Sequence, residues 1–323
     1  MKKILITGAG QIGSRHLQAL AKSSFDVELF VYDQSVQSLE MSRNRFNEMP
    51  TNKSVKKIHF LNELISLPAK VDLLILSTPA SVRLQAFKEI VLQTEVINVL
   101  FEKVLFQSTS EIEEAGQILK VKNINAWVNC PKRLYEVNER ILSFTGESSI
   151  IEYSVEGGNW GIGCNAIHFI DHMTCLTGDN EYQISTEDLD PKIWKSKRKG
   201  FVDFTGKLMI NFSKGHTLKL IATSEEIPRY ELKIKVNDKI FEMDEFTNEL
   251  RVKDIDEKLL ERVKYQYPHQ SDLTQHVANE ILFKNECKLP DFKESSLLHV
   301  QLLDPLMSFY KRLGGELEKL PIT

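Results

Sequence analysis

Apolar, β-rich runs recur at regular intervals from the N-terminus: Ile4-Leu5-Ile6, Val27 to Tyr32, Ile58-His59-Phe60, Val71 to Leu76, Val96 to Phe101 and Ile124 to Val128. Several are apolar at every position rather than at alternate ones, the pattern of parallel strands covered on both faces. The stretches between them, 12–22, 35–47, 80–93 and 108–120, read as helices. In the first, Ile12, His16 and Leu20 share a face beside Leu17 and Ala21. The last opens with Ser108 and Glu111 at capping-box spacing. Strands and helices alternating at this length predict a doubly wound parallel sheet over 1–123.

From about residue 124 the pattern changes, and 124–323 reads as a second, α+β domain. A helix is expected over 131–142 with Pro131 at its start, then an alternating strand over 149–158. A helix over 164–178 ends on Gly178 as its C-cap. Strand-like stretches at 201–212, 216–223, 229–237 and 240–243 follow, broken by Lys214-Gly215, Ile227-Pro228 and Asn237-Asp238. Serial strands with short turns predict a largely antiparallel sheet with one face left open. Two helices, about 271–286 and 294–312, close the chain, with Asp291 as an N-cap candidate.

Composition narrows the function class. The chain has 323 residues, 42% hydrophobic and 27% charged, with a net charge of −4. That balance gives no reason to expect nucleic acid or an anionic membrane as partner. The basic run Lys195 to Lys199 reads as a solvated loop. No apolar run approaches the roughly 18 residues of a membrane span. Cys130, Cys164, Cys175 and Cys287 show neither CxxC pairs nor metal-type spacing, as in a cytoplasmic protein with reduced thiols.

The candidate chemistry begins at ITGAGQIGSRH, residues 6–16. Gly8, Gly10 and Gly13 follow a strand and open a helix: the first permits a tight turn, the second lets a pyrophosphate approach, the third lets helix pack on strand. The helix N-terminus would present N–H groups to the phosphates. Asp33, 20 residues past Gly13 at the end of the second strand, suits the two hydroxyls of an adenosine ribose. It would repel a 2′-phosphate, and Gln34-Ser35 supply no arginine, so NAD is expected over NADP. The other reading is a Rossmann-like domain that has lost its ligand. Ser77-Thr78-Pro79 ends the fourth strand and Glu102-Lys103 the fifth, on the face where open α/β sheets bind ligands. Glu102 and Lys103 are either a surface ion pair or a site in which Lys103 points into the crevice.

On the 164–178 helix, Cys164, His168, Asp171, His172 and Cys175 recur at spacings of three and four, placing ionisable groups on one face. A zinc site, a satisfied core histidine and a crevice-lining proton carrier are the three readings. A single helix cannot wrap a tetrahedral ion, which counts against the metal.

Together these residues resemble the Gfo/Idh/MocA family of NAD(P)-dependent oxidoreductases. Four landmarks occur in order: Gly8 to His16, Ser77-Thr78-Pro79, Glu102-Lys103, and Gly157-Gly158 leading to His168-x2-Asp171. Leu289-Pro290 before a final helix resembles the family's ending. The resemblance implies an N-terminal Rossmann domain, a C-terminal domain with an open-faced sheet, and a nicotinamide lying between them. It implies cofactor contacts at Gly8, Gly10, Gln11, Ile12, Gly13, Asp33, Ser77, Thr78, Pro79, Glu102 and Lys103. Lys103 and His168 would be catalytic, the lysine on the reacting oxygen and the histidine moving the hydroxyl proton. Substrate contacts are expected from Lys103, Arg133, Asn159, Trp160, Asn165, His168 and His172. Trp160 would stack on a sugar or fill the core, and Arg133 would hold an anion or cap a loop.

Three positions depart from the family pattern: Val104 replaces the proline after the lysine, Cys164 replaces an aspartate four residues before the histidine, and Arg83 replaces a histidine after Thr-Pro. The expected activity is NAD-dependent oxidation or reduction of a ring hydroxyl or carbonyl of a sugar. SDLTQHVANEIL at 271–282 resembles members tied to surface polysaccharides, which points to a nucleotide-linked or acidic sugar. The alternatives are an NAD-dependent glycoside hydrolase working by transient oxidation, and a non-catalytic NAD-binding regulator. No metal is expected. An apolar open sheet face would pair copies of the chain into a homodimer or homotetramer.

Overall fold

The computed structural model describes residues 1–146, 148–225 and 229–323; the expected break at Ile227-Pro228 lies outside the described residues. Strands β1 (Lys2–Thr7), β2 (Val27–Tyr32), β3 (Val55–Leu61), β4 (Lys70–Leu76), β5 (Glu95–Phe101) and β6 (Asn125–Val128) alternate with helices α1 (Gln11–Leu20), α2 (Val36–Asn47), α3 (Ala80–Gln93) and α4 (Thr109–Lys122). The six strands form one parallel sheet in the order β3-β2-β1-β4-β5-β6. Ile4, Leu5 and Ile6 of β1 and Leu73 to Leu76 of β4 are all fully buried, so the continuous apolar runs reflect burial on both faces.

The chain continues through a short 3₁₀ turn (Pro131–Leu134), α5 (Val137–Leu142), β7 (Ile151–Gly158), α6 (Ile162–Thr177) and β8 (Tyr182–Ser185). Then come β9 (Trp194–Lys195), β10 (Val202–Asp203), β11 (Gly206–Phe212), β12 (Thr217–Thr223), β13 (Tyr230–Val236), β14 (Lys239–Asp244), β15 (Glu249–Asp254) and β16 (Leu259–Lys264). The last elements are α7 (Gln270–Lys284) and α8 (Phe292–Arg312). Eight strands form a sheet in the order β16-β15-β14-β13-β7-β12-β11-β8, antiparallel except for β7 with β12. The expected helix over 131–142 is two pieces, split at Tyr135-Glu136.

The chain divides into two compact units, residues 1–131 with 268–295 and residues 132–267 with 296–323. The boundary therefore falls after Pro131 rather than after residue 123, because β6 pairs with β5 and completes the parallel sheet. The second unit is also interrupted. α7 returns to the first unit and packs on α1, and Trp127 of β6 bridges to Asp291.

The open face of the second sheet is not apolar. It carries a grid of opposite charges: Lys235 with Glu152 at 2.9 Å, Glu242 with Lys253 at 2.8 Å and Lys233 at 3.4 Å, and Glu249 with Arg262 at 2.6 Å. Apolar residues of the same strands, such as Leu232, Ile234 and Val252, turn to the buried face. Among the described residues no helix is long and apolar enough to cross a membrane.

Candidate functional site

In the first unit, the residues singled out at the glycine turn and the two later turns gather at the C-terminal ends of β1, β2, β4 and β5. Gly8 has φ +90°, and a Cβ there would meet the Ser77 and Thr78 backbone at 2.9 Å. At Gly13 a Cβ would lie 1.7 Å from the Gly8 carbonyl, so α1 can pack on this turn only with glycine. Gly10 differs: a Cβ would meet nothing within 4 Å, which leaves open space over the start of α1. No side chain caps α1 at Gly10, so its first-turn N–H groups lack a side-chain acceptor. The Thr7 and Thr78 hydroxyls are buried without a hydrogen-bond partner. An open cradle, an uncapped helix start and unmatched hydroxyls fit a dinucleotide here.

The neighbours divide their work. Ser77 Oγ donates to the Thr7 and Gly8 carbonyls at 2.9 and 2.8 Å and so sews the glycine turn to the end of β4. Asp33 Oδ2 accepts the Ala9 N–H at 2.7 Å and Oδ1 accepts the Ser35 N–H at 2.8 Å. Each carboxylate oxygen keeps a second lone pair for a ligand hydroxyl. Gln11 is exposed and Ile12 half-buried at the first turn of α1, and Pro79 occupies the N-cap position of α3. Arg45 of α2, which the sequence reading did not single out, donates to Gln11 Oε1 at 2.6 Å and to Ser14 Oγ at 2.5 Å. It fixes a cation over that first turn.

Glu102 is not half of a surface ion pair. Only 8% exposed, it accepts from His16 Nε2 at 2.9 Å and from Asn129 Nδ2 at 2.5 Å. The His16 Nδ1 atom lies 2.8 Å from Thr274 Oγ1, and Asn129 also donates to Gln270 Oε1 at 2.8 Å. Burial raises the Glu102 pKa, but the His16 ring and the Asn129 amide outweigh it and hold the carboxyl below its usual value. Lys103, the next residue, is half-buried at the end of β5.

In the second unit, α6 starts at Gly161, whose φ is +87°. Asp203 Oδ1 accepts the Gly163 N–H at 2.7 Å and caps the helix. Cys164, Asn165 and His168 form the half-buried side of α6. One turn on, Asp171 and His172 are fully buried, so the polar stripe runs into the core instead of lining one surface. Asp171 takes Arg133 bidentately, through Nε at 3.0 Å and Nη2 at 2.7 Å. His172 lies between Tyr153 Oη at 3.1 Å and Asn138 Oδ1 at 2.8 Å. Burial, with Lys132 and Arg133 nearby, pushes its pKa down to about 3, so the ring is neutral. Trp160 is 5% exposed, donates to the Ile221 carbonyl at 2.7 Å and packs edge-on against Phe169 and Tyr230. Asn159 is exposed and Asn165 donates to the Trp160 carbonyl at 2.6 Å. The buried Lys132 pairs with the half-buried Glu245, which also accepts from Tyr230 at 2.6 Å, a group no sequence signal marked.

Residues 2–130 match the model of the Gfo/Idh/MocA oxidoreductase family, described as an NAD-binding Rossmann fold. The first unit therefore resembles the NAD-binding domain of that family. A comparison with curated protein sequences gives no significant match.

Solved structures extend the likeness over both units. UDP-N-acetylglucosamine 3-dehydrogenase from Acidithiobacillus ferrooxidans is 15% identical, with a TM-score of 0.68 over 94% of this chain and 98% of the other. An oxidoreductase from Agrobacterium radiobacter, in complex with NAD+, L-tartaric acid and magnesium, is 12% identical, with a TM-score of 0.69 over 98% and 99%. A biliverdin reductase from Synechocystis, bound to biliverdin and NADP+, is 13% identical, with a TM-score of 0.68 over 95% and 98%. At such identities the likeness is one of fold.

Proposed function

We propose that the chain is an NAD-dependent dehydrogenase or reductase acting on a ring hydroxyl or carbonyl of a sugar, with Lys103 and His168 as its catalytic residues. The observation that carries this reading is the setting of Lys103. It ends β5 on the same strand-end face as the glycine turn, between a buried Glu102 and a turn held by hydrogen bonds. A bound nicotinamide supplies the hydride acceptor or donor. The Lys103 ammonium donates to the reacting oxygen and stabilises the negative charge that develops on it. His168, half-buried on α6, takes the hydroxyl proton during oxidation and returns it during reduction. Asn159 and Asn165 are the nearby polar groups assigned to substrate hydroxyls. Asp33 selects NAD over NADP.

A nucleotide-linked or acidic sugar is the favoured substrate class. The similar fold of a UDP-N-acetylglucosamine 3-dehydrogenase supports it. The four cysteines, none at CxxC spacing, suit a reducing, cytoplasmic setting. The test is a panel of sugars and nucleotide sugars followed at the NADH absorbance. Lys103→Met and His168→Asn should each lower kcat by about 10²- to 10⁴-fold, while NADH affinity stays within roughly threefold. Full activity in both variants would remove the assignment. Glycoside cleavage with tightly retained NAD and no net absorbance change would replace it with the hydrolase.

A further inference from the structure

Arg83 stands on the first turn of α3, four residues beyond Pro79, and is 2% exposed. Its guanidinium serves main-chain carbonyls in two separate turns. Nε and Nη2 donate to the Thr78 carbonyl after β4, at 3.2 and 2.6 Å. Nη1 donates to the carbonyls of Glu102 at 2.6 Å and Leu105 at 2.8 Å after β5, and also to that of Val104. One buried fork thus joins the turn at 77–79 to the turn at 102–105.

Lys103 sits at the centre of this arrangement. The carbonyls on either side of it, of Glu102 and Val104, are bound by the same nitrogen, so the backbone at 103 cannot rotate without breaking one or both. From the other direction the Glu102 carboxylate is held by His16 and Asn129. The residue after Lys103 is valine, whose φ no ring restrains, and the Arg83 fork supplies a restraint from outside. Only arginine suits the position: its donors are planar and splayed, whereas a lysine ammonium is a compact point charge unable to span both turns. A buried charge is also costly to keep as mere filler, since an apolar side chain of similar size would fill the space without desolvation.

We infer that Arg83 is a positioning residue, which sets the aim of the Lys103 ammonium by locking the 102–105 turn onto the 77–79 turn. The inference rests on the reading of Lys103 as the group that meets the reacting oxygen beside the nicotinamide.

The test uses the full chain labelled with ¹³C at lysine Cε and NADH as the only ligand. The Lys103 signal is assigned by its loss in Lys103→Arg. In the native protein this signal should move when NADH saturates the site. In Arg83→Gln, NADH affinity should stay within about threefold, while the Lys103 signal takes the shift of a mobile lysine and no longer responds. If Arg83→Gln fails to fold, Arg83→Lys, which keeps the charge but not the fork, is scored in the same way. An unchanged NADH response of Lys103 in the folded variant would overturn the inference. So would loss of NADH binding in both variants, which would make Arg83 a structural residue. A native Lys103 signal indifferent to NADH would instead remove the catalytic reading of Lys103, and the positioning role with it.

Discussion

Asp33→Asn is the sharpest probe of cofactor choice, because it removes one charge and almost no shape. In the native protein Asp33 holds the buried Ala9 N–H and the Ser35 N–H, one on each oxygen. The asparagine oxygen can keep Ala9, and the more exposed Ser35 amide can turn to water, so the fold should lose only about 1 kcal/mol. The cofactor balance should shift further. A carboxylate beside a 2′-phosphate repels it by about 1 to 4 kcal/mol, depending on how far water screens the pair. Asp33 is half-buried, so a middle value of about 2 kcal/mol is reasonable. Hydroxyls of NAD bonded to a neutral amide instead of a carboxylate lose about 1 kcal/mol more. Together the NADPH-to-NADH affinity ratio should rise by roughly a hundredfold. The assay is parallel titration of nicotinamide fluorescence with NADH and NADPH on both proteins. A ratio unchanged in the variant would mean that Asp33 only braces the glycine turn and reads no ribose.

Glu102 gives a pH signature. Its folded pKa lies below the usual carboxylate value of 4.5, so its stabilisation is present above that pH and is lost as pH falls through the folded value. Glu102→Gln should therefore cost about 1 to 3 kcal/mol at neutral pH and flatten the acid limb of stability against pH, measured by urea melts; an identical acid limb would show that the carboxylate is not held as described. The second concerns assembly. We propose that the open face of the second sheet pairs two copies through its charge grid, so light scattering should give twice the chain mass at low salt and a shift toward monomer at high salt. A monomer at micromolar concentration in low salt would refute it.

The parallel sheet was legible because burial on both faces leaves the sequence no alternative to continuous apolar runs; β2 and α3 have the boundaries that their residues suggest. The second sheet was only partly legible. Strands β15 and β16, ELRVKD and LLERVK, interleave outward charges with so few apolar residues that alternation fades, and what pairs them is the antiparallel backbone ladder with β14 and with each other, along which Arg251, Lys253 and Arg262 meet carboxylates of neighbouring strands. The same charges explain why the expected apolar face is absent. Alternation fixes which side of a strand is open, but not whether that side carries oil or ions.

At the site the same divide has a different cause. The glycine turn was readable because two of its defining constraints, the positive φ at Gly8 and the contact of Gly13 with the Gly8 carbonyl, act within a few residues. The support of the lysine turn was not, because its members lie far apart in the chain: His16 on α1, Arg83 on α3, Asn129 after β6, Gln270 and Thr274 on α7. One signal was nevertheless present. His16 interrupts the apolar face formed by Ile12 and Leu20, and a buried imidazole must find partners for two ring nitrogens. A residue that breaks its own helix pattern thus announces a distant partner without naming it. Here the partner is the carboxylate next to Lys103, so the helix that starts at the phosphate cradle also steadies the turn that carries the ammonium. The proposed dinucleotide cradle at one end of α1 and the grip on Glu102 from its middle belong to one helix, and α7 braces that helix through Thr274.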